Sequence, residues 1–245
     1  MSRVVRMIVF AVGGLGVAVL LGAAIARMPH FGSGHHPYRT LAVAAALARR
    51  APNAVSSVNF DQRGFDTLGE EMILVGSVLG AVALLRPAHH ESERRVPRGG
   101  RVLPATQFAG YALLPVTLAL GLDVVAHGHL TPGGGFQGGV ILATGLHMAY
   151  VAGDYAALRR LRPVHWYSYG EALGAGAFVL LGFAGLAAAG AYMANVLPLG
   201  TFRALLSAGT VPLFNIATGC AVACGIVVLL AAFLRQELLI GEDER

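Results

Sequence analysis

Long apolar runs separated by short polar segments dominate this chain. Uncharged stretches cover residues 7–26, 102–122, 130–153, 172–202 and 204–234. Each reaches the roughly 18–20 residues that an α-helix needs to cross the hydrocarbon of a bilayer. A sixth stretch, 72–85, is shorter, and it reaches crossing length only if Asp66, Glu70 and Glu71 occupy its first turns. The pattern predicts an all-α, polytopic membrane protein with about six transmembrane helices. Their expected positions are near residues 4–27, 66–86, 105–126, 136–158, 170–194 and 210–235. A short helix over 38–50 is expected to lie at the outer interface.

Composition agrees with the pattern, and charge adds orientation. The chain is 56% hydrophobic and 13% charged, with a mean hydropathy of +0.64, values of a membrane protein and not of a soluble domain. All eighteen basic residues are arginine and the pI is near 9.7. With six spans and a cytoplasmic N-terminus, twelve arginines fall in inside segments and six outside. That asymmetry places both termini in the cytoplasm; it is a topology signal and not a nucleic-acid footprint. The apolar part of the first span is longer than a signal-peptide core, so it is expected to stay as an anchor. Residues 88–103, charged and rich in Pro and Gly, form the natural boundary. They separate a two-helix unit, 1–87, from a four-helix unit, 104–245. Cys220 and Cys224 lie four apart on one helix, a poor geometry for a disulfide, and two thiols fall short of a structural zinc set.

Ionisable side chains inside the spans are the candidate chemistry. Asp66 and Glu70 are four apart and share a helix face, while Glu71 points about 100° away and is expected to matter less. Two stacked carboxylates repel, and a cation or a shared proton relieves the repulsion. That is what a site exchanging protons with a metal cation requires; the plainer reading is a cap on the helix N-terminus. Asp123 and His127 repeat the spacing, as a proton relay or as an interfacial ion pair. His147 lies mid-span, a functional candidate or a neutral interhelical donor. Glu171 opens the fifth span, on an ion path or as a cap. Asn215, early in the sixth, suits an interhelical hydrogen bond. Small residues crowd the spans and let helices approach closely, as expected of one component of a larger complex.

The segment Gly128-His129-Leu130-Thr131-Pro132-Gly133-Gly134-Gly135-Phe136-Gln137-Gly138-Gly139 stands apart. Gly133, Gly135 and Gly138 match the spacing of a dinucleotide fingerprint, but that site needs a strand before it and a βαβ unit around it. Here both flanks are membrane spans. Pro132, Gly133, Gly134, Gly135, Phe136, Gly138 and Gly139 are instead expected to form a packed structural turn at the start of the fourth span.

This segment resembles the signature of the MnhB-type component of Mrp multisubunit sodium/proton antiporters. The ending Leu239-Ile240-Gly241-Glu242-Asp243-Glu244 resembles that family's C-terminus, so the likeness spans about 104–245. Where the family has Phe-Asp in its last span, this chain has Phe214-Asn215, and a charged role there is not expected. Asn59-Phe60-Asp61-Gln62-Arg63-Gly64-Phe65-Asp66-Thr67-Leu68-Gly69-Glu70 resembles a motif in the C-terminal extension of the large A-type component of the same antiporters. The same element occurs as a small separate subunit of membrane-bound hydrogenases related to complex I. The resemblance implies a fusion of two neighbouring subunits, with Asp66 and Glu70 on the cation path and in transient contact with Na+.

Three functions follow as expectations. The first is an accessory component of a cation/proton antiporter in the cell membrane, partnered by other membrane subunits, lipid, Na+ and H+. The second is the same module in a redox-driven relative, and the third a structural scaffold. No cofactor and no catalysis are expected of this chain itself. It has no lysine, so it lacks the lysine–glutamate series of a main proton-pumping subunit.

Overall fold

The computed structural model describes residues 3–28, 34, 36–86, 102–161 and 164–240. The boundary segment expected at 88–103 lies almost wholly outside the described residues, as do 241–244 of the C-terminal motif. Every regular element among the described residues is helical. The helices are α1 (Arg3–Ala26), α2 (Pro37–Ala48), α3 (Ala54–Ser57), α4 (Gly64–Leu84), α5 (Pro104–Ala126), α6 (Gly135–Leu161), α7 (Val164–Ala189) and α8 (Val211–Ile240), and a π turn over Val58–Gln62 links α3 to α4. The fold is all-α, as expected.

Five helices are long and apolar enough to cross a membrane: α1, α4, α5, α7 and the Val211–Phe233 part of α8. The sixth expected span is α6, with 27 residues. Gln137, Thr144 and His147 lower its hydropathy without shortening it. α7 starts at Val164, earlier than the apolar run suggests. Its first turns carry His165, Trp166 and Tyr169, whose rings contact one another, and aromatic residues of this kind sit at the membrane–water boundary. The helix stops before 194 because Gly190 takes the left-handed conformation, φ +73°, that ends helices.

The chain divides into two compact units, Met1–Thr40 and Leu41–Arg245. The first holds α1, a 24-residue apolar helix. In the second, α5 and α6 pair, α7 and α8 pair, and α8 also packs on α4, α5 and α6. Glycine makes these approaches possible. A Cβ on Gly174 would stand 2.7 Å from the Ala217 carbonyl oxygen, and one on Gly139 would stand 2.9 Å from the Gly219 carbonyl oxygen. Such close contact stands in for the hydrophobic force that lipid removes. A trio of rings locks the π turn to α7 and α8. Phe60, Phe178 and Phe214 are buried, with centroids 4.7–6.2 Å apart.

The segment before α4 holds more structure than the single short helix expected. Asn53 caps α3, its Oδ1 accepting from the Val55 and Ser56 amides at 3.1 and 3.3 Å. Its Nδ2 donates to the Gly128 and Thr131 carbonyls at 2.7 and 2.8 Å. One side chain therefore ends a loop, starts a helix and ties both to the turn between α5 and α6. Arg49 pairs with the buried carboxylate of Asp61 at 3.5 Å. Arg50 donates to the Gly200 carbonyl. Replacing Asn53 by alanine removes the cap and strands two carbonyls, at a cost of about 2 kcal/mol. Asn53→Ser keeps a capping oxygen and loses the donors without adding a charge, so thermal melting of the purified protein should rank wild type, then Ser, then Ala.

Candidate functional site

A cavity of about 490 Å³ opens between α3, the π turn, α4, the start of α6 and α8. Its polar lining comes from Ser56, Asn59, Thr67, Glu70, Ser77, Gln137 and Thr218, with the backbone of Gly133, Gly134 and Gly135. Glu70 is the only carboxylate among its described lining residues. The Thr67 hydroxyl donates to the Asn59 carbonyl at 2.7 Å, fixing the first turn of α4 against the π turn.

The glycine segment meets this cavity for a local reason. Gly133 and Gly134 have φ of +143° and +151°, a region that side-chain-bearing residues avoid. This conformation turns the chain so that the amide of Gly135, at the start of α6, donates to Asn215 Oδ1 at 2.8 Å. Asn215 Nδ2 donates onward to Ser56 Oγ at 3.0 Å and to the Val211 carbonyl at 3.1 Å. The neutral amide expected to bond between helices thus joins three segments: α3, the glycine turn and α8. Gly135 lies so close to α8 that a Cβ would stand 2.9 Å from Thr218 Cβ, and closer still to the Asn215 carbonyl.

The sequence-predicted residues fall at several places. Asp66 is exposed and ion-paired with Arg63, one turn before Glu70. Asp123 and His127 pair at 2.8 Å on the exposed end of α5. His147 lies on the α5–α6 side, in a largely apolar cleft with Thr106, Gly110, Thr144 and Met148, and its Nε2 has no hydrogen-bond partner. Glu171 is buried on α7, its Oε1 unpartnered and 2.8 Å from the point where a Cβ on Gly225 would stand. Of these, only Glu70 and the glycine turn come together. Among the described residues no three His, Cys, Asp or Glu side chains converge as metal ligands.

Two residues carry more than the sequence suggested. Glu71 is 1% exposed and neither carboxylate oxygen has a hydrogen-bond partner. It points inward, to α8, where Glu70 points to the cavity. His129 is fully buried in the α5–α6 turn, against the backbone of Ala204 and Leu205. Burial holds its imidazole below the ordinary value of 6.5, more strongly than the nearby carbonyls raise it.

Comparison with known proteins bears on the whole chain. A family model described as a domain related to the MnhB subunit of Na+/H+ antiporters matches residues 106–228. An uncharacterized protein of Methanocaldococcus jannaschii is 32% identical over 209 residues, covering 75% of this chain and 76% of that protein. A probable K+/H+ antiporter A/B subunit of Rhizobium meliloti is 30% identical over 142 residues, 48% of this chain but 14% of that protein. A chain in the structure of the membrane-bound sulfane sulfur reductase, an archaeal respiratory membrane complex, superposes with a TM-score of 0.71 at 27% identity. The match covers 94% of this chain and 98% of that one. A chain of the Mrp complex from a Dietzia species gives 0.68 at 25% identity, over 95% of this chain and 26% of that one.

Two outcomes follow from the geometry. Gly135→Val drives a branched side chain into α8 and should lower the amount of protein recovered in its membrane assembly, read by co-purification; normal assembly with a selective loss of cation binding would contradict the packing account. For His129, the folded state favours the neutral ring, so its contribution is complete above pH 6.5 and is lost as pH falls below that value. Intrinsic amide exchange slows as pH falls, so the expected sign is a fall in the protection of residues 128–135, measured against intrinsic exchange, between about pH 7 and pH 5. That fall should vanish in His129→Gln.

Proposed function

The chain belongs to the MnhB-related family of Na+/H+ antiporter subunits, and from that premise we propose that it is an accessory component of an Mrp-type cation/proton antiporter whose Glu70 cavity lies on the cation path. It is a multi-pass protein of the cell membrane, and its partners are other membrane subunits. Its own role is transport and not catalysis. The N-terminal unit, 1–87, acts as the counterpart of the A-type extension, and 104–245 as the MnhB-type component. Both termini face the cytoplasm and the glycine turn faces outside, in keeping with the arginine distribution.

The observation that carries the reading is the meeting of Glu70, the glycine turn and Thr218 around one cavity. Hard monovalent and divalent cations take oxygen ligands. The lining offers hydroxyls from Ser56, Thr67 and Thr218, an amide oxygen from Asn59, and one carboxylate. A single carboxylate can neutralise one cation or hold one proton, but not both, and exclusive occupancy of this kind is what antiport needs. Asp66 sits one turn away with its charge met by Arg63, which leaves Glu70 as the carboxylate that lines the cavity. Asp123–His127, His147 and Glu171 are further candidates for ion or proton contact at separate places in the chain.

A second reading has its own support. The match to a chain of an archaeal respiratory membrane complex is nearly complete in both directions. The same module then serves in a redox-driven assembly, with electron transfer carried by other subunits. An inventory of the proteins in the purified complex separates the two readings, because iron–sulfur or nickel proteins belong only to the second. Within either assembly, Glu70→Gln should leave the subunits together and reduce cation-coupled transport by about tenfold or more. Unchanged transport, with the wild-type dependence on cation and pH, would take the Glu70 cavity off the cation path.

A further inference from the structure

Two buried carboxyls form no ion pair among the described residues and take no part in the cavity. Glu71 of α4 is 1% exposed and Glu171 of α7 is 5% exposed. Both oxygens of Glu71 and Oε1 of Glu171 lack a hydrogen-bond partner. They meet the same face of α8. Glu71 lies beside the Thr218 hydroxyl, itself buried and unpartnered, without the geometry of a hydrogen bond. Glu171 lies over Gly225, whose missing side chain leaves room for the carboxyl. Thr218 and Gly225 are two turns apart on one face, about 10 Å along the axis. Val78 on α4, two turns beyond Glu71, is 3.5 Å from the same Gly225 position, so α4 runs alongside α8 between the two levels.

Both carboxyls are buried within this chain. Among the described residues, the groups noted beside them on the packed helices are Glu70, Thr218, Cys220 and Cys224, none of them basic. An isolated carboxylate in such a place is too costly to persist without a role. A carboxyl that accepts a proton and passes it on carries no lasting charge. We propose that Glu71 and Glu171 form an interior proton route along α8, separated from the Glu70 cavity by Thr218. The proton moves by breaking an O–H bond on one carboxyl as one forms on the next acceptor, with water carrying it between the two levels. No electron moves and no bond to carbon changes.

The inference rests on the chain serving an ion-translocating assembly, and its test has a readout independent of transport. In the intact complex in inverted membrane vesicles, Glu71→Gln and Glu171→Gln should each slow proton flux by about tenfold or more, with co-purifying subunits unchanged. In infrared difference spectra of the purified complex, each variant should lose one carboxyl band that shifts in D2O. Wild-type flux together with an unchanged carboxyl spectrum in either variant overturns the proposal. Gly225→Ala keeps both acids and serves where a glutamine variant fails to assemble. Its methyl group enters the space of the Glu171 carboxyl, so the Glu171 band should move and the flux should fall. A wild-type band position with wild-type flux in this variant also overturns the route. Failure of Glu70→Gln to alter cation dependence, with the Glu71 and Glu171 bands still present, would sink the cavity reading and leave this one standing.

Discussion

Inside a bilayer nothing gathers helices as water does, because lipid tails solvate apolar side chains as well as another helix would. Helices must be held by close backbone approach and by polar groups that find each other across the interface. In this chain α8 is where that condition is met. Gly135 and Gly139 of α6, Gly174 of α7 and Gly225 of α8 itself each sit where an added Cβ would stand 2.8 Å or less from an atom of a neighbouring helix. Asn215 supplies the directional part, accepting from the Gly135 amide and donating to Ser56 and Val211. A neutral amide suits this position because it bonds in both directions without burying a charge. With aspartate, the two donated bonds would be lost and a bare charge would replace them.

The cavity follows from the same arrangement. The glycine turn comes close to α8 only because Gly133 and Gly134 adopt positive φ, and Gly135 has no side chain to obstruct it. Once there, its backbone forms one wall, α4 another, and the capped α3 with the π turn a third. Packing and cavity-lining are thus two consequences of one conformation. The glycines hold helices together, and they also leave polar backbone facing a space that Glu70 enters. Irregular backbone among membrane helices is tolerated where it is buried in protein or lines a cavity, and here it does both.

The helices were legible in the sequence because uninterrupted apolar length is a strong signal, and the glycine turn because its motif is long. Which carboxylate faces inward was not legible. Glu70 and Glu71 differ by about 100° of helix rotation, so their divergence could be read, but not its sense. In a soluble helix the apolar stripe would mark the buried face. In α4 both faces are apolar, one toward lipid or partners and one toward α8, and the buried stripe of Gly64, Thr67, Glu71 and Val78 contains two polar residues. Asn53 escaped notice for a different reason. Its cap on α3 is local, but its bonds to Gly128 and Thr131 span more than seventy residues, and no spacing rule reaches that far. Glu171 was recognised as a candidate, yet its significance depends on Gly225, a residue unremarkable among so many glycines.

Neighbouring positions with opposite orientations give a physical basis for coupling cation to proton. Glu70 and Glu71 are neighbours whose side chains diverge by about 100°, so their carboxyls are roughly 8–10 Å apart. At an effective dielectric constant of about 20, two negative charges at that range repel by about 2 kcal/mol. Exposure of Glu70 to the open cavity makes this an upper bound. On the proposed reading a cation at Glu70 would offset that repulsion, and its departure would restore it. No helix has to move for this exchange. It would need only that the cation reach Glu70 and not Glu71: Glu70 and Thr218 line the cavity, whereas Glu71 is buried.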